Sequence, residues 1–226
     1  MYDEDGLYRI NPERGKIRFS KIEVRDILIS MCVLALAFTI LYRRGSILDY
    51  FADIVGEDWK WVGLFGLCFG LVIFSFLLHE LGHKFTAQKA GLVSEYRMYP
   101  VGLFITLLTS VIGFLFAMPG AVMIQGQTDQ RTYAKISLAG PIVNIVLAAV
   151  GVVGCLLTNY SAAVVPFYML ASLNSILALF NMLPIPPLDG SKIVGWNIPV
   201  YIVVIAIAAL EFAYVRFFMP DLYWGM

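Results

Sequence analysis

The sequence contains two histidines, and both lie in one pentapeptide, His79-Glu80-Leu81-Gly82-His83. On a helix, residues four apart share a face, so both imidazoles can reach a single metal ion. Glu80 projects ~100° further round the helix. There it can act on a water instead of on the metal. Two histidine ligands beside a glutamate base is the arrangement by which zinc-dependent peptidases activate water. A catalytic zinc takes three protein ligands and keeps one position open. The third ligand must come from elsewhere in the chain, and it cannot be histidine. Between Asp129 and Glu211 the only acidic residue is Asp189.

The elements that would carry these residues are unusual. An uncharged run from Trp61 to Leu78 leads without a gap into His79-Glu80. An ionisable side chain inside a membrane span costs about 2.5–3.5 kcal/mol on insertion scales, so such groups are rare and usually functional. Asp189 follows the segment Asn181-Met182-Leu183-Pro184-Ile185-Pro186-Pro187-Leu188. Proline lacks an N–H and clashes with the preceding turn. A span ending near Leu183 must therefore unwind before Asp189. Irregular backbone at membrane depth survives only where protein or a water cavity satisfies it. A hydrolase in lipid needs such a place, because water and an extended peptide must both reach the metal. Asn144 and Asn181 add amides to apolar surroundings, where an unbonded amide is costly. Each either bonds another helix or pairs with an unwound substrate strand. Asn174 lies seven residues before Asn181, on nearly the same face, and is expected to pack helices together.

The composition fixes the setting. Of 226 residues, 60% are hydrophobic and 14% charged, against about a quarter charged in soluble domains. No Asp, Glu, Lys or Arg occurs from Ile136 to Leu188. This is an integral membrane protein in contact with a lipid bilayer. Its formal net charge of zero excludes a nucleic-acid partner, which would require a basic excess. Cys32, Cys68 and Cys155 sit in apolar runs without metal or disulfide spacing, and are expected to fill the core. Residues 1–25 form a polar tail, too long in its polar lead for a cleaved signal peptide. Residues 26–218 form one membrane-embedded domain with its core at 60–195, and 219–226 a short C-terminal tail.

Five spans are predicted: Ile27–Tyr42, Trp61–Leu78, Ile136–Thr158, Val164–Leu183 and Ile193–Leu210, the last interrupted by Pro199. A turn at Asn159-Tyr160-Ser161 separates the third from the fourth. The uncharged stretch Met98–Thr128, with its apolar heart at Leu103–Met118, is ambiguous. If His83 and Asp189 share a metal, they lie on the same side of the membrane. Two crossings intervene for certain, and a third at 103–118 would put Asp189 on the wrong side. The stretch should then re-enter or form a hairpin. The distribution of positive charge agrees. Five spans with the N-terminus inside leave only Arg43, Arg44, Lys60 and Arg216 outside, whereas six move Arg131, Lys135 and Lys192 out. The fold class is thus all-α and polytopic, with five to six transmembrane helices, a re-entrant or hairpin segment, and a small β element near 116–128. Phe116–Ile124 could offer an extended edge to a substrate strand. Trp59, Trp61, Tyr223 and Trp224 read as interfacial anchors, and Glu211 and Arg216 as groups reaching the interface.

The motifs His79–His83 and Asn181–Gly190 together resemble the site-2 protease family of intramembrane metalloproteases. The segment Ala139-Gly140-Pro141-Ile142-Val143-Asn144 is also similar to a family signature. The resemblance covers roughly residues 60–195. It implies that His79, His83 and Asp189 bind Zn2+, with no further small-molecule cofactor, and that Glu80 is the catalytic base and acid. It implies that Asn144 and Asn181 hold substrate backbone, and that the substrates are transmembrane proteins or peptides cut within the bilayer. A prokaryotic cell membrane with a cytoplasmic N-terminus is the expected location. The chain differs from many relatives in carrying no PDZ or CBS domain. The alternative is a catalytically inactive zinc-binding scaffold or regulator, against which the intact Glu80 argues.

Overall fold

Five helices are long and apolar enough to cross a membrane among the residues described by the computed structural model, namely 17–42, 49, 52–53, 55–158 and 161–219. The polar tail before residue 17, Arg43 and Arg44, the Asn159-Tyr160 turn, and Tyr223 and Trp224 lie outside the described residues. In chain order the elements are α1 (Lys21–Tyr42), α2 (Lys60–Lys89), β1 (Val93–Met98), α3 (Pro100–Ile112) and β2 (Gly120–Gln125). They continue with α4 (Gln130–Leu157), α5 (Ser161–Asn181), α6 (Asp189–Val194) and α7 (Ile198–Phe218). The spanning helices are α1, α2, α4, α5 from Val164 onward, and α7.

Several boundaries differ from the hydropathy reading. The second span does not stop at Leu78; α2 runs 30 residues, through His79–His83, to Lys89. That is about 45 Å of helix, more than the ~30 Å hydrocarbon layer requires. It ends at Ala90-Gly91, where Gly91 takes a left-handed conformation with φ 82° and closes the last turn. The first helix starts at Lys21, so Glu23 and Asp26 are helical and buried. Pro199 does not interrupt the last span but lies in its first turn, where a missing N–H costs nothing. Cys68 and Cys155 are buried as expected, whereas Cys32 is exposed on α1 and fills no core. Trp59 and Trp61 are exposed, in keeping with interfacial anchors. Arg216 is also exposed. Helix α7 continues past Glu211, whose Oε2 is buried with no hydrogen-bond partner among the described residues.

The ambiguous stretch turns back. β1 and β2 pair antiparallel, with Met98 opposite Gly120, Tyr96 opposite Val122 and Ser94 opposite Ile124. The Tyr99 N–H donates to the Pro119 carbonyl at 2.9 Å, so the chain leaves and returns at one end of the bundle. Between them, α3 has 13 residues, about 20 Å, too short to cross. The returning residues have no strand partner among the described residues, and threonines on α3 bond their backbone instead. Phe116 N–H donates to Thr109 Oγ1 at 3.1 Å, Met118 N–H to Thr106 Oγ1 at 3.2 Å, and Thr106 Oγ1 to the Phe116 carbonyl at 3.1 Å. The sequence predicts the second strand but not β1, because Glu95 and Arg97 lie in it and pair with each other on one face.

The bundle is organised on α4. It packs most extensively on α5, and after that on the second half of α2. At Gly151 a Cβ would lie 2.5 Å from the Ala171 backbone nitrogen, so only glycine lets α5 come this close. Asp129 caps α4, accepting from the Thr132 N–H at 2.7 Å. That bond holds its carboxyl below the usual carboxylate range. A second core joins Met31, Leu34 and Phe38 of α1 to Leu64, Cys68 and Val72 of α2, with Tyr96 beneath them.

Candidate metal centre

Helix α2 widens by one residue per turn at Ile73–Leu77, immediately before the histidines. Such wide turns concentrate at functional sites. Here the widened turn receives a side chain from α4: Asn144 Nδ2 donates to the Ser75 carbonyl at 2.9 Å. The same amide nitrogen donates to Asn174 Oδ1 at 2.8 Å. Asn174 Nδ2 in turn donates to Ser75 Oγ at 2.9 Å and to the Leu170 carbonyl at 2.8 Å. With its nitrogen so used, Asn144 presents Oδ1 to His79 Nδ1 at 2.5 Å. His83 Nδ1 donates to the Ile136 carbonyl at 2.8 Å. Both rings therefore carry their proton on Nδ1 and turn an Nε2 lone pair inward. Asn144 is buried and its amide is fully engaged. In this structure its Oδ1 faces an imidazole. Asn174 ties α5 into the same network, in line with the helix-packing expectation.

The donors converge. His79 Nε2 and His83 Nε2 are 3.0 Å apart. Asp189 Oδ2 lies 3.6 Å from the first and 3.1 Å from the second. A tetrahedral zinc with bonds of about 2.0–2.1 Å would separate its ligand atoms by about 3.3 Å, which these three edges bracket. Two lone pairs and a carboxylate oxygen facing one another without a hydrogen between them repel unless a cation lies among them. All three residues are at most 8% exposed, so water cannot screen that repulsion. The donor set thus fits a divalent ion. Space for it depends on Gly140: a Cβ there would lie 2.6 Å from His79 Nε2 and against His83 Nε2.

Asp189 reaches the site because the chain unwinds. Helix α5 ends at Asn181, residues 182–188 are irregular, and α6 begins at Asp189 itself. Lys192 Nζ donates to Asp189 Oδ1 at 3.1 Å, which leaves Oδ2 for the histidines. Asn181 stands apart, partly exposed, with Nδ2 donating back to the Leu177 carbonyl at 3.0 Å.

Glu80 occupies the neighbouring stripe of α2, half-buried, on the side of the Val122 backbone N–H of β2. Lys84 follows on that stripe and is buried against β1. Sequence reasoning missed Ser75, Lys192 and Glu23. The first carried a readable signal, a hydroxyl four residues before His79 in an otherwise apolar run.

Comparison with known proteins agrees with this geometry. The model of Peptidase family M50 matches residues 156–199, the stretch that ends just beyond Asp189. MJ0611 of Methanocaldococcus jannaschii, provisionally named a zinc metalloprotease, is 37% identical over 187 residues, which cover 80% of this chain and 87% of its own. YwhC of Bacillus subtilis, also provisionally so named, is 31% identical over 153 residues, 57% of this chain and 67% of its own. Zinc metalloprotease MJ0392 of M. jannaschii is 27% identical over 143 residues, 62% of this chain and 36% of its own. No solved structure matches significantly. With the length and identity of the MJ0611 match, and with two imidazoles and a carboxylate set for one zinc inside a membrane bundle, the chain belongs to Peptidase family M50, the site-2 protease family of zinc metallopeptidases.

Proposed function

We propose that this protein hydrolyses peptide bonds within or beside the transmembrane segments of other membrane proteins. His79, His83 and Asp189 would hold the zinc, and Glu80 would be the catalytic base and acid. The observation that carries the reading is the buried convergence of both Nε2 atoms on Asp189 Oδ2, with Glu80 one residue along the same helix. When bound, zinc supplies Lewis acidity to the scissile carbonyl. Glu80 accepts a proton from the attacking water and delivers it to the leaving amine nitrogen. Asn144 and the Ile136 carbonyl keep the ring protons on Nδ1. Lys192 holds the Asp189 carboxylate by its outer oxygen.

A transmembrane helix shields its carbonyls in its own hydrogen bonds, so the substrate must unwind before it reacts. The outer edge of β2 is suited to receive it as a strand. Across the sheet the Tyr96 N–H points away to Glu23. Tyr96 and Val122 are therefore a non-hydrogen-bonded pair, and the Val122 N–H points toward Glu80. Substrates with helix-breaking residues near the cut would be preferred. Asn181, at the end of α5 beside the irregular segment, is a candidate for holding substrate backbone, as is Asn144 beside the metal centre. Because most Lys and Arg collect at one end of the bundle, we place that end and the N-terminus in the cytoplasm of a prokaryotic cell.

The test is cleavage of transmembrane peptides by purified protein in lipid vesicles, wild type against Glu80→Gln, with zinc counted on both. Cleavage by the wild type alone is expected. Equal activity would remove Glu80 from the mechanism, and a zinc-loaded wild type that cuts nothing would leave a scaffold.

A further inference from the structure

The Glu80 stripe of α2 continues through Lys84 to Gln88, each four residues from the last, so all three face the sheet. Glu80 meets β2; Lys84 and Gln88 meet β1. Lys84 Nζ lies 2.8 Å from Glu23 Oε1 and 2.9 Å from Oε2, and donates to the Ser94 carbonyl at 2.8 Å. Ser94 Oγ returns a bond to the Lys84 carbonyl at 3.2 Å. Glu23 Oε1 accepts the Tyr96 N–H at 2.9 Å. The Phe19 ring covers the ammonium at 4.6 Å.

Glu23 is 0% and Lys84 1% exposed. Lysine and glutamate are almost never buried so completely unless paired. A buried ion pair is weak evidence for stability, since apolar replacements of similar volume often do as well. What this pair supplies is position. Ser94 and Tyr96 lie on β1 with free backbone groups that point away from β2, and the pair takes one from each. Tyr96 is opposite Val122, and Val122 is the residue that meets Glu80. The bonds that fix β1 on α1 and α2 thereby fix the edge of β2 against the catalytic carboxylate.

We infer that Glu23 and Lys84 are positioning residues that hold the sheet in register with α2 and so determine which substrate bond is presented to Glu80. The inference rests on the proposed strand pairing at β2. Strand register moves in steps of two residues when the faces of the strand are kept. Loosening the pair should therefore let cleavage spread to bonds two residues from the wild-type position. A change that only weakens the fold would reduce the amount of product and leave the cut where it was.

The experiment is mass-spectrometric mapping of the products from a transmembrane peptide that the wild type cuts at one bond. The variant is Glu23→Gln/Lys84→Met, which removes both charges and keeps an amide oxygen for the Tyr96 N–H. Glu23→Asp, which keeps the charge and shortens its reach by one methylene, is the second variant and carries the prediction if the first does not fold. Each is expected to bind one zinc per chain and to yield additional cuts displaced by two residues. Cleavage confined to the wild-type bond, at any rate, or none from a folded, zinc-loaded variant, overturns the inference. A wild type that cuts no transmembrane peptide would instead remove the proposed function beneath it.

Discussion

Each imidazole at the centre spends one nitrogen on the protein so that the other is free for the metal. Removing the acceptor behind a ring therefore weakens the metal without touching a ligand. Asn144→Ala is predicted to weaken zinc binding ~10- to 100-fold, measured by competition with a chelator; an unchanged affinity would mean that Asn144 does not set the ring. Glu80→Gln keeps the shape of the side chain and loses the base. Its cleavage rate should fall by ~100- to 10,000-fold at full zinc occupancy, read in parallel assays. The metal-ligating types are legible in the sequence because it offers so few: two histidines, and one carboxylate at the end of a long uncharged stretch. The direction of Asn144 is not legible, since a lone amide in an apolar run has the same signature whether it serves an imidazole or a substrate. Glu23 looks like an ordinary charge in the sequence because its burial arises only when distant segments meet, and Lys192 because Asp189, three residues away, gives no sign of which partner it will take.

At the scale of elements, β2 joins the metal centre to its proposed substrate. Val122→Pro removes the N–H that meets Glu80 and the room for an incoming strand. It should abolish cleavage of a transmembrane peptide while zinc remains bound; undiminished cleavage would show that substrate does not use this edge. Gly151→Val drives side-chain atoms into the Ala171 backbone. Overpacking of that kind costs about 1–3 kcal/mol, and should lower the thermal unfolding temperature in detergent. The spans are legible from hydropathy, but their ends are less so. Hydropathy falls at His79-Glu80, yet α2 continues, because His79, His83 and Lys84 are buried against α4, α6 and the sheet instead of facing water. β1 is hidden for the related reason that Glu95 and Arg97 pair with each other at its surface.

The whole molecule follows from counting crossings. Two spans separate His83 from Asp189, so the intervening hairpin must return to the side it left, and the pairing of Met98 with Gly120 shows that it does. Single cysteines at Lys89 and Gln125 should react from one face of sealed vesicles, and one at Thr158 from the other. Reaction of all three from the same face would break the topology. The hairpin is legible in the amino-acid sequence because the chemistry demands it: three ligands cannot share an ion from opposite leaflets. The most direct test of that demand is the zinc content of Asp189→Ala, purified beside the wild type. The account predicts one zinc per wild-type chain and almost none on the variant; a variant with its full complement of zinc would contradict it.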